Sequence, residues 1–166
     1  MKRVILVLFV IAILFLSRSA KLSILELSLN QIPNNDYVTL LKNNWTIIIT
    51  DEDLSKKYDF NFEVSGITDY KIKTIYIKTD EVERALLHEV GHVLDFENGQ
   101  LSKTEEFKQI FKEEQKMFID CTAVNDRHEI LNEQEYFASV YQNIILNYDD
   151  TSKNVPKTVK FIKEHL

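Results

Sequence analysis

One cysteine, Cys121, is all the chain has, so no disulfide can close within it and no CxxC pair can hold a metal or run redox chemistry. Glycine and proline are almost as scarce, at three and two residues, which excludes collagen-like and low-complexity chains. Basic residues are outnumbered: 20 Lys and Arg face 26 Asp and Glu, for a net charge of −6. A protein that grips phosphates by counterion release carries the opposite sign, so nucleic acid is not an expected partner. The remainder is ordinary. With 45% apolar and 28% charged residues among 166, the composition is that of one ordered domain held together by its core.

The N-terminus stands apart from that core. Lys2 and Arg3 precede an uninterrupted apolar run from Val4 to Leu16, followed by Ser17, Arg18, Ser19 and Ala20. This is the pattern of a secretory signal peptide, with Ser17 and Ser19 as the small residues ahead of a cut after Ser19. As a helix the run would reach roughly 20 Å, short of the hydrocarbon layer of roughly 30 Å. Residues 1–19 are therefore read as a signal peptide and residues 20–166 as a single domain, secreted by a bacterium. An uncleaved segment tethering the protein to a membrane is the alternative. Removing Lys2, Arg3 and Arg18 from the 20 basic residues leaves 17 against 26 acidic ones, a net charge of −9.

Along the remaining chain, strands come first and helices after, which defines an α+β class. Pro33-Asn34-Asn35 separates two short helices, and Trp45 to Thr50 is a β-branched run that reads as a mostly buried strand. A second strand candidate starts near Phe62. From Lys71 to Lys78 polar and apolar residues alternate at period two, and the charges on that strand mark it as a sheet edge where an extended peptide could pair. The period turns helical at Glu81 and stops at Asn98-Gly99. Ser102 with Glu105 reads as a capping box for a helix with Phe107, Ile110, Phe111, Met117 and Phe118 on its inner stripe and solvated charges from Lys112 to Glu114. Further helices are expected at 132–147, with Asn132 as N-cap, and from Pro156 onward.

One constellation carries chemistry. His88-Glu89-Val90-Gly91-His92 lies inside the helical segment, and residues four apart on a helix project on the same side, so both imidazoles can reach one ion. HExxH on a helix is the signature of zinc metalloproteases, with the glutamate as general base rather than ligand. Asp95 falls on the same face, free either to orient an imidazole or to sit in solvent. Two histidines do not complete a zinc site, and the third ligand must come from downstream, where His128, Glu129, Glu133 and Glu135 are the candidates. Glu133 reads as a surface residue. Glu135 sits in the first turn of its helix, where a carboxylate also complements the macrodipole.

The run from His88 to Asp95, followed by Glu135-Tyr136-Phe137-Ala138-Ser139-Val140-Tyr141, resembles the catalytic domain of anthrax lethal factor and the related secreted Pro-Pro endopeptidases. The resemblance spans roughly residues 33–147 and is specific in the two motifs. It implies a zincin-like fold: a small mixed sheet with an edge strand over the site, then a mainly helical C-terminal half. It further implies Zn2+ held by His88, His92 and Glu135, Glu89 as base, and hydrolysis of a protein or peptide substrate bound as an extended strand. The family places a tyrosine seven residues before the glutamate ligand to stabilise the oxyanion. That position is His128 here, expected to donate in its place. A monomer is expected. Two rivals stand beside this reading: a zinc-binding surface protein with little or no turnover, and a three-histidine site in which His128 replaces Glu135 as ligand.

Overall fold

The structure, a computed structural model, describes residues 26–121 and 132–166. The expected signal peptide, residues 1–19, and His128 and Glu129 lie outside the described residues.

Helix α1 spans Asn34–Lys42, strand β1 Thr46–Thr50, helix α2 Leu54–Lys57, β2 Gly66–Asp69 and β3 Thr74–Lys78. Helices follow: α3 Val82–Glu97, a 3-10 turn Leu101–Lys103, α4 Glu105–Cys121, α5 Glu133–Leu146, α6 Tyr148–Asn154 and α7 Pro156–His165. The expected α+β order holds. The three strands form one mixed sheet in the order β1-β3-β2, with β1 parallel and β2 antiparallel to β3. Among the described residues no helix is long and apolar enough to cross a membrane.

The expected edge strand at Lys71–Lys78 is corrected by this topology. Residues 70–73 belong to the turn between β2 and β3, with Lys73 at φ 50° and the Asp69 carboxylate accepting from the Lys71 and Ile72 amides. The strand starts only at Thr74 and lies in the middle of the sheet. Its alternation reports an open face instead of an open edge. Ile75 and Ile77 are fully buried in the core, whereas the Tyr76 ring meets Tyr58 and the Lys57 ammonium on the other side. The edge strand against the site is β2.

α3 is amphipathic over most of its girth because it is the central element, burying Leu86, Leu87, Val90, Val93 and Leu94. It ends as its sequence suggests: the Asn98 side chain donates back to the Leu94 carbonyl at 2.8 Å, and Gly99 takes φ 87°. Ser102 is not the cap of α4. Its amide and hydroxyl both donate to the Asp95 carboxylate at 2.6 Å, and Thr104 caps α4 by accepting from the Phe107 amide. Local spacing could not show that Asp95, seven residues upstream, had already claimed Ser102.

On α4, Phe107 and Phe118 are buried as expected, but Met117 is 44% exposed and Glu114 only 2%. Glu114 is no solvated charge. Its carboxylate accepts from the Lys157 and Thr158 amides and the Thr158 hydroxyl, at the N-terminus of α7, where these two amides lack partners within the helix.

Candidate metal centre

The centre is built by two helices that touch backbone to backbone. A methyl group at Gly91 would lie 2.8 Å from the Ala138 Cα and 3.2 Å from its carbonyl oxygen, so only glycine lets α3 approach α5 this closely. α5 is started by Asn132, whose side chain accepts from the Gln134 and Glu135 amides at 3.0 Å. That cap sets the phase of the first turn and aims Glu135 at α3.

There the Nε2 atoms of His88 and His92 are 3.1 Å apart, with their rings nearly perpendicular. Glu135 Oε2 lies 3.2 Å from the first and 3.4 Å from the second. Ligands bound tetrahedrally to zinc at about 2.0–2.1 Å stand about 3.3 Å from one another. The three atoms thus occupy one face of such a tetrahedron. Two imidazole lone pairs and a carboxylate oxygen repel one another unless a cation or protons lie between them, and this donor set suits zinc. Residues expected as ligands at positions 88, 92 and 135 are brought together; Glu133, half-buried, is not part of the cluster.

Electrostatics follow the geometry. Burial raises the Glu135 carboxyl, but hydrogen bonds and charge from both imidazoles reverse this and hold it far below the usual carboxylate range. For His92, burial pulls the imidazole down, and Glu135, with further negative charge from Glu89 and Asp95, carries it above its ordinary value. His92 Nδ1 is buried and has no hydrogen-bond partner among the described residues. Asp95, 1% exposed, is therefore neither an imidazole acceptor nor solvated. It holds the turn after α3 through Ser102.

Glu89 points away from the ligand cluster and toward β2. It is 5% exposed, and the Thr68 hydroxyl donates to its Oε2 at 2.6 Å. A methyl group at Gly66 would lie 2.8 Å from the Glu89 Cγ and Oε1, so the edge strand rests directly on this side chain. Gly66 and Thr68 escaped sequence reasoning. Their one signal was a two-residue spacing on a strand too short to stand out.

A helix offering two histidines, a second helix offering a carboxylate, and an edge strand laid across the intervening glutamate define a metallopeptidase-like α+β protein. The family model for anthrax toxin lethal factor, N- and C-terminal domain, matches residues 19–165, and the chain belongs to that family. Its fold is also that of the solved Pro-Pro endopeptidase PPEP-2 from Paenibacillus alvei, with a TM-score of 0.70 at 16% identity over 89% of this chain and 92% of that one. No curated protein matches the sequence.

Proposed function

We propose that the chain is a secreted zinc-dependent endopeptidase, with His88, His92 and Glu135 as ligands and Glu89 as general base. The observation that carries the reading is the convergence of two Nε2 atoms and one carboxylate oxygen within 3.4 Å of each other, beside a glutamate anchored by Thr68. A zinc ion held there would act as a Lewis acid and bring the pKa of a bound water to about 7. Glu89 takes the proton of the attacking water and passes it to the leaving nitrogen. Thr68, by donating to one carboxylate oxygen, leaves the other free to accept that proton.

The substrate runs as an extended strand along β2, which has one neighbour, β3, among the described strands. Its carbonyl is thereby delivered over Glu89. His128 is assigned as a donor to the oxyanion on its position in the family motif.

Metal analysis and peptide cleavage by the soluble domain test this. Glu89→Gln keeps zinc and loses cleavage, and Glu135→Ala loses zinc. A Glu89→Gln protein that still cuts removes the mechanism, and zinc kept by Glu135→Ala but lost by His128→Ala transfers the ligand role to His128. Stoichiometric zinc with no zinc-dependent cleavage of a broad peptide library favours a binding protein of the same fold. N-terminal sequencing of the protein in the culture medium tests secretion, with Ala20 as the expected first residue.

A further inference from the structure

Glu135, Ser139 and Gln142, spaced by four and three, lie on one stripe of α5. Across from them on α3 stand His88 and, one turn earlier, Arg84: Gln142 Nε2 donates to the Arg84 carbonyl, and Glu135 Oε2 lies 3.2 Å from His88 Nε2. Ser139 falls between these two contacts. Its Oγ lies 3.4 Å from His88 Nδ1, so the two nitrogens of one imidazole are met by residues a single turn apart on the facing helix. Ser139 is 2% exposed and follows Ala138, whose backbone packs against Gly91. The helix contact holds the hydroxyl in place.

A neutral imidazole that gives the lone pair of Nε2 to a metal ion carries its proton on Nδ1, and the hydrogen bond made there fixes which nitrogen is offered. The His88 side chain is mostly shielded from solvent, so that proton needs an acceptor within the protein. A serine oxygen can accept it, and becomes the better partner once a cation on the far nitrogen makes Nδ1–H a stronger donor. The support is one-sided. His92 Nδ1 is buried with no hydrogen-bond partner among the described residues, and Asp95, the carboxylate on the next turn, is taken by Ser102.

We infer that Ser139 is a positioning residue of the metal centre: its hydroxyl accepts the Nδ1–H of His88 and keeps the ring turned so that Nε2 faces the ion. Ser139 acts through His88 alone and touches neither the ion nor substrate. The inference rests on the zinc-ligand part of the reading above and not on turnover.

Ser139→Ala tests it, since it removes the oxygen and leaves the buried volume nearly unchanged. Zinc titration should give an affinity about 10- to 100-fold below wild type, with stoichiometry still about one at saturating zinc. In NMR spectra of the zinc-loaded histidine rings, the His88 Nδ1–H resonance should move upfield or vanish into solvent exchange while that of His92 stays in place. Unchanged zinc affinity, or a His88 resonance that moves no further than that of His92, overturns the assignment. Should the variant fail to fold, the zinc-loaded wild type decides: a His88 Nδ1–H protected from solvent supports the contact, and one that exchanges freely, or a His88 bound through Nδ1, overturns it. A wild type that binds no zinc overturns this inference and the peptidase reading together. Bound zinc without cleavage of any peptide overturns the peptidase reading alone.

Discussion

Gly91 and Ala138 leave no space for a side chain between α3 and α5: the position of a Cβ on Gly91 falls 2.8 Å from the Ala138 Cα. The distance from His88 and His92 to Glu135 is set by this contact. Gly91→Ala should force the helices apart, costing about 1–3 kcal/mol of stability and weakening zinc about 10- to 100-fold. Because the Ala138 atoms met are backbone, Ala138→Gly should not rescue it. Calorimetric titration with zinc and a thermal melt read both effects, and an unchanged zinc affinity would show that the helix spacing does not govern the site.

Zinc binding should release protons. In the metal-free protein His92 holds a proton above its ordinary range, chiefly through Glu135 once burial is overcome. A metal ion must displace it. The sign is fixed: an imidazole raised in the folded state adds stability that is full below its unfolded value and fades as pH rises through the folded one. Lowering the pH therefore stabilises the metal-free form and weakens zinc. Titrations near pH 6.5 in buffers of different ionisation enthalpy should report release of about one proton, and a buffer-independent heat would contradict this.

Legibility of the chain followed the range of the interactions. The two histidines and the intervening glutamate could be read because a helix turns a spacing of four into one direction, and Asn132 three residues before Glu135 announced the helix that supplies the third donor. β2 could not be read. Gly66-Ile67-Thr68-Asp69 has weak strand propensity, and its place comes from pairing with β3 and resting on Glu89. The middle strand was mistaken for an edge because alternation distinguishes faces and says nothing of neighbours. Glu114 looked solvated because its partners at Lys157 and Thr158 are more than 40 residues further along.

Tyr141 and Asp36 tie α5 to α1 through a 2.6 Å hydrogen bond donated by the phenol. Burial raises the Asp36 carboxyl, and the bond from Tyr141 only partly offsets this. A carboxyl raised in the folded state contributes stability that is complete below its unfolded value and lost as pH climbs through the folded one. At pH 7 ionised Asp36 is thus a cost. Asp36→Asn keeps an acceptor for Tyr141 without the charge, so its Tm relative to wild type should improve steadily from pH 4 to pH 7. A difference that ignores pH would show that Asp36 does not titrate differently on folding.

Glu114 makes the opposite prediction, since its carboxylate is satisfied and its loss is not. Three donors from Lys157 and Thr158 end on it, and the Thr158 hydroxyl is also bonded to the Tyr136 hydroxyl at 2.8 Å, within the aromatic cluster of Phe107, Phe111 and Phe118. Glu114→Ala strands two helix N-terminal amides and a hydroxyl, and should cost about 2–4 kcal/mol. Glu114→Gln retains one acceptor oxygen but turns an amine toward the remaining donors, so it should cost less without being neutral. Glu114 lies on α4, which supplies none of the proposed zinc ligands, so zinc stoichiometry at 20 °C should stay at about one, with only the melting temperature falling. Chemical denaturation at fixed pH with metal analysis separates the two readouts. A neutral Glu114→Ala would mean that water replaces the carboxylate at the start of α7, and the docking of that helix would then rest chiefly on the burial of Val159, Phe161 and Ile162 and on the bond between Thr158 and Tyr136.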